Sequence, residues 1–145
     1  MKQLIFFSFF VLSLTFISCN QKTKQNKTIT TSVTNKIEVI DFYGTHRCVT
    51  CKAIESNAKY TIDTYFTDEQ KKGIVIFKTI NVSDDKNYSI VETYEATGTA
   101  LFLNVIKNGK EKHIDLTNFG FSKGRDQEIF SKELKTIIES ELKNL

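Results

Sequence analysis

Between residues 36 and 82 the chain reads strand, helix, strand, and that order limits what can be built around it. Ile37-Glu38-Val39-Ile40-Asp41-Phe42-Tyr43 is rich in β-branched and aromatic residues and ends at Gly44, the pattern of a strand followed by a turn. Apolar positions then fall at Cys51, Ile54, Ala58, Ile62 and Tyr65. Gaps of three and four between them predict an amphipathic helix to about Phe66. Gly73 precedes an apolar run over residues 74–82, short enough to be a buried strand. Two such strands joined through a helix imply a parallel pair with a right-handed crossover.

The rest of the chain completes a sheet. A short helix is predicted over residues 87–95, with Ile90, Val91 and Tyr94 on one side and Gly98 as its stop. A strand follows at 101–106, and Lys107-Asn108-Gly109-Lys110 carries the Asn-Gly signal of a hairpin whose second strand covers 112–118. Asp126 is placed to N-cap a last helix that buries Ile129, Phe130, Leu134, Ile137, Ile138 and Leu142. The hairpin adds an antiparallel pair to the parallel one. The expected fold class is therefore α/β, a mixed sheet in the order strand-helix-strand-helix-hairpin-helix with helices on both faces. The chain has no proline, so its turns must rely on Gly, Asn and Asp.

The first eighteen residues differ in character. Lys2 is followed by an apolar run from Leu4 to Phe16 broken only by Ser8, Ser13 and Thr15, the anatomy of a cleaved secretory signal. About 20 apolar residues are needed to span a bilayer, and this run falls short. Phe16-Ile17-Ser18-Cys19 resembles a bacterial lipobox, which implies diacylation of Cys19; its departure is an aromatic residue three places before the cysteine. An ordinary signal with an incidental cysteine is the plainer alternative. Residues 19–35, rich in Asn, Gln, Lys and Thr, read as a flexible tether ahead of a domain at 36–145. Lys22, Lys24 and Lys27 lie in that tether. Beyond it the chain holds 16 basic and 17 acidic side chains, which leaves no nucleic-acid footprint.

With Cys19 assigned to lipid, one pair remains, Cys48 and Cys51. Two intervening residues close almost no loop, so the pair adds little stability and suits exchange chemistry instead. Cys48 stands where a strand ends and a helix begins, where free backbone N–H groups and the helix dipole favour a thiolate. His46, Arg47 and Lys52 are expected to add positive potential. Cys51 shares the helical face of Ile54 and Ala58 and should be buried.

Asp41-Phe42-Tyr43 with Cys48-Val49-Thr50-Cys51, and the later strand ending at Lys107-Asn108-Gly109, resemble the thioredoxin superfamily over residues 36–145. Residues 43–52 with 98–102 are more specifically similar to small thioredoxin-like lipoproteins of Bacteroidetes-type bacteria, some labelled as nitroreductase-associated; such a label does not determine a substrate. The resemblance implies Cys48 as nucleophile, Cys51 as resolving thiol and Asp41 as the buried carboxylate that relays a proton. It also implies no organic cofactor beyond the redox-active disulfide. Three departures stand out. The loop from Asp41 to Cys48 is one residue longer, Arg47 replaces the tryptophan before the first cysteine, and Thr99 or Ala100 stands in for the cis-proline. If the longer loop still buries Asp41, no cation is expected within its reach; otherwise the side chain faces solvent.

The function expected is thiol–disulfide exchange at a membrane surface outside the cytoplasm, in the cell envelope. The chain would act as a monomer, its partner a protein thiol or disulfide or a membrane reductase. The rival reading is a lipid-tethered binding or accessory subunit. Its cysteines would form a redox-sensitive latch, or a metal site with His46 and His113.

Overall fold

The computed structural model describes residues 35–145. The apolar leader, Cys19 and the lysine-bearing segment through residue 34 lie outside the described residues. Four strands, β1 (Lys36–Tyr43), β2 (Val75–Asn81), β3 (Ala100–Lys107) and β4 (Lys110–Asp115), form one sheet in the order β2-β1-β3-β4. Between β1 and β2 run α1 (Val49–Tyr65) and the short α2 (Thr67–Lys71), and β2 pairs parallel with β1, as the crossover requires. A 3₁₀ turn at Asp85–Asn87, capped by the Asp84 side chain, leads into α3 (Tyr88–Thr93). The antiparallel hairpin β3–β4 turns at Asn108 and Gly109, with φ of 51° and 75°. Two positive φ values in succession are what an Asn-Gly hairpin turn supplies. Then come α4 (Thr117–Lys123) and α5 (Gln127–Leu142), the latter capped by Asp126 accepting from Ile129 N–H.

Side-chain alternation along β1 divides the core in two. Ile37 and Val39 face α1 and α5, meeting Ile54, Ala58, Ile62, Phe130, Leu134 and Ile138. Ile40 and Phe42 face the other way, onto Tyr94, Ala96 and Phe102 with Ile90 and Val91 of α3. Helices thus cover both faces of a mixed sheet, the α/β arrangement expected from the sequence. Asp41 lies on the side of Ile37 and Val39, toward α1.

Four expectations change. The strand read over 112–118 stops at Asp115, and Thr117 opens α4 instead, its N–H accepted by Asp115 Oδ1. The run over 74–82 becomes an edge strand with Thr79 exposed, not a fully buried one, because the hairpin adds on the far side of β1. Tyr65 points outward and Phe66, where the chain bends between α1 and α2, is buried at 3% exposure in its place. Ile129 is 42% exposed, because Phe130 and Leu134 take up the buried stripe of α5.

Candidate functional site: the disulfide at the start of helix α1

Cys48 is the N-cap residue of α1, in extended backbone, and its Sγ accepts the Cys51 N–H at 3.0 Å. A sulfur so placed receives an otherwise unpaired N–H and lies at the positive end of the helix dipole, both of which favour its thiolate. Cys48 and Cys51 are joined as a disulfide, with Cα atoms 5.0 Å apart. The two are unequal: Cys48 is exposed, whereas Cys51 is buried beside Ile54. That asymmetry is the one expected from the helical register.

Asp41 has no solvent exposure, so the longer loop does not turn it outward. The expectation of no cation nearby is overturned. Arg47 folds inward, and its Nη2 lies 3.4 Å from Asp41 Oδ2 and 3.4 Å from the Cys51 carbonyl oxygen. Its Nη1 donates to Glu55 Oε2, and its guanidinium covers the Tyr43 ring at 4.7 Å. The physical reason is sequence spacing. Arg47 immediately precedes the cap, so its side chain can reach back under the first turns of α1, where two carboxylates wait. Arg47, expected to add positive potential beside Cys48, is therefore committed to an inner triad with Asp41 and Glu55.

Asp41 nonetheless has its pKa raised to about 7. Burial is the largest cause, the Glu55 charge adds to it, and Arg47 pulls in the opposite direction. Its Oδ1 is buried without a hydrogen-bond partner, an oxygen free to take a proton.

One rim residue had no signal in the sequence. Arg125, in the turn between α4 and α5, donates from Nε to Thr50 Oγ1 at 2.9 Å, inside the Cys-x-x-Cys segment. It is 75 positions away, and only the helical reading of α4 brings it near. Thr99 precedes β3 and Ala100 opens it, and no peptide bond among the described residues is cis.

The metal reading needs His113 beside the cysteines, which are joined to each other as a disulfide. His113 sits on β4, its ring stacked on Tyr94 at 4.1 Å and its Nε2 3.3 Å from Glu111. Among the described residues no group of three or more His, Cys, Asp or Glu is placed to hold a metal ion. Asp84 caps the 3₁₀ turn, its Oδ1 accepting from Lys86 N–H.

No family model matches the chain, and no curated protein matches it by sequence. Among solved structures it is similar to a thioredoxin from Thermus thermophilus, at 17% identity over 71% of this chain and 74% of that one, with a TM-score of 0.48. It is also similar to a structure described as a malarial protein, at 16% identity over 61% of this chain and 96% of that one, with a TM-score of 0.39.

Proposed function

We propose that this protein is a thiol–disulfide oxidoreductase in which Cys48 attacks, Cys51 resolves and Asp41 carries the resolving proton. The observation that carries this reading is the unequal cysteine pair: an exposed sulfur at a helix N-cap joined to a buried one above a buried carboxyl whose pKa is raised to about 7. In the reduced protein the Cys48 thiolate attacks one sulfur of a substrate disulfide. That S–S bond breaks, the departing thiolate takes a proton from solvent, and Cys48 is left in a mixed disulfide. The Cys51 thiol then gives its proton to the Asp41 carboxylate at Oδ1 and attacks Cys48 Sγ; the second substrate sulfur leaves as a thiolate and is protonated from solvent, and Asp41 afterwards returns its proton to solvent. The substrate gains two electrons and two protons, and the protein returns to the Cys48–Cys51 disulfide. A dithiol partner, such as a membrane reductase, restores the reduced form. The cysteines themselves carry the electrons, so no organic cofactor enters.

The finer reading places this monomeric domain, from residue 36 onward, on a tether behind a lipidated Cys19 after removal of residues 1–18, at the extracytoplasmic face of a membrane. Support for that part comes from the residue pattern at the start of the chain. Insulin reduction by the protein with dithiothreitol tests the core reading. Turnover that disappears in C48S supports it, and precipitation no faster than in dithiothreitol alone would leave a binding role. C51S should trap mixed disulfides in cells, and mass spectrometry of those adducts names the partner.

A further inference from the structure

The rim of the cysteine pair carries two cations that the proposed exchange steps do not use. Arg125 is exposed and makes no ion pair among the described residues, and its Nε is occupied by Thr50. A guanidinium bonded through Nε turns its paired terminal N–H groups away from that contact, as a fork suited to a carboxylate. Its backbone is fixed. Asn57 Nδ2 donates to the Gly124 carbonyl at 2.9 Å, Gln127 Nε2 donates to Asn57 Oδ1 at 3.2 Å, and Gly124 packs against Ile54 and Gly120.

Lys52 is the second cation. It lies one turn beyond Cys48, its N–H bonded to the Cys48 carbonyl at 3.1 Å, and it is exposed with no ion pair among the described residues. Neither nearby acid pairs with these cations: Glu55 is held by Arg47, and Asp126 accepts from Ile129 N–H at the start of α5. Val49, next to Cys48 in the chain, stands 75% exposed, an apolar contact for a polypeptide.

We infer that this rim selects disulfides carried on acidic polypeptide segments, with Arg125 and Lys52 as the residues that determine the choice. The inference rests on the oxidoreductase reading and names its substrate class. Opposite charge raises the encounter rate and orients the segment across Val49, so that its disulfide meets Cys48 Sγ. The effect falls as salt screens the charges.

The test uses the full chain, reduced, with three peptide disulfides of one core sequence flanked by Glu, Ser or Lys, and with oxidised glutathione as a small anionic control. At low salt the acidic peptide should react about tenfold faster than the neutral one and faster still than the basic one, and the spread should shrink at high salt. R125Q and K52Q should each lower the acidic-to-neutral ratio, the double variant should bring it near one, and R125K should restore part of it. Equal rates on all three peptides overturn the inference while leaving exchange chemistry intact. A parallel loss on all three in R125Q, with the ratio preserved, also overturns it, because Arg125 would then only support the fold. Oxidised glutathione reacting as fast as the acidic peptide, with the same variant dependence, overturns the polypeptide class. Titration of the oxidised protein with the cysteine-free acidic peptide gives a readout apart from exchange. Binding weakened by R125Q and by salt supports the inference, and binding indifferent to both counts against it even if no peptide disulfide is reduced.

Discussion

Arg47 holds one end of a carboxylate whose proton matters. Asp41, Arg47 and Glu55 form a chain of alternating charge beneath the cysteine pair, with Arg47 serving both acids. Asp41 stands at about 7 in the folded chain, above the roughly 3.9 of an unfolded one. Between those values the folded state holds a proton that the unfolded state has lost. Stability from this group is thus complete below the unfolded value and is lost as pH rises through about 7. D41N should therefore leave stability almost unchanged at a pH below the unfolded value of about 3.9 and raise it most in mild alkali, the gain growing through the range between. The gain should be a few kcal/mol at most, since one pKa unit is about 1.4 kcal/mol. Denaturant melts at both pH values check this, and equal effects at the two would exclude the linkage. The same variant should slow release of the mixed disulfide near neutral pH and recover when alkali ionises Cys51 unaided; a flat profile would remove Asp41 from the mechanism. In the reduced protein, iodoacetamide should modify Cys48 well before Cys51, and matched rates would contradict the burial difference. The sequence made both cysteines visible through their spacing, and Asp41 only through the resemblance of its segment to the thioredoxin superfamily. It hid Arg47's inward turn, because a residue next to a cap can point either way and the choice depends on Glu55, eight positions on.

At the level of elements, the first strand, the first helix and the second strand were legible, the strands from their β-branched, aromatic and apolar runs and α1 from its apolar spacing of three and four. Helix α4 was not. Thr117-Asn118-Phe119-Gly120-Phe121-Ser122-Lys123 contains two aromatics and a glycine, with no helical stripe long enough to outweigh a strand reading. What makes it a helix is tertiary: Gly120 and Gly124 let it lie close against Ile54 of α1. A Cβ on Gly124 would come within 2.4 Å of the Gly120 carbonyl oxygen and 2.7 Å of Ile54 Cγ1. G124A should accordingly cost about 1–3 kcal/mol through overpacking. It should also loosen the Arg125–Thr50 contact, which NMR of the Thr50 amide would register. A neutral result would mean that α4 shifts freely on α1. At the ends of the sheet, Glu38 is buried at 5% exposure and accepts from both Lys36 and Lys78 at 2.7 Å. Burial opposes its charge, yet those two partners hold its pKa below the usual value.

For the whole molecule, the order of elements and the two-sided cover were legible; the edge position of β2 was not, since strand order depends on where the hairpin docks. Among the described residues no helix is long and apolar enough to cross a membrane, so attachment rests with the proposal for Cys19. C19A should lose membrane association and palmitate labelling in cells, and a variant that still labels would refute the lipidation. A chain shortened to residues 36–145 should fold with a cooperative melt, because the two apolar clusters lie wholly within it.

Asn35 donates to the carbonyl oxygen of Leu145 at 3.0 Å, while its own Oδ1 accepts from Asn108 N–H. Both ends of the described chain therefore meet at one pole of the sheet, where β1 begins, and the sulfurs lie past its other end. Eight residues of strand separate the two, about 25 Å at the usual rise per residue. A bead, a dye or a fused domain joined at either end would stand clear of Cys48, and the same handle geometry would let the protein be immobilised with its reactive face outward.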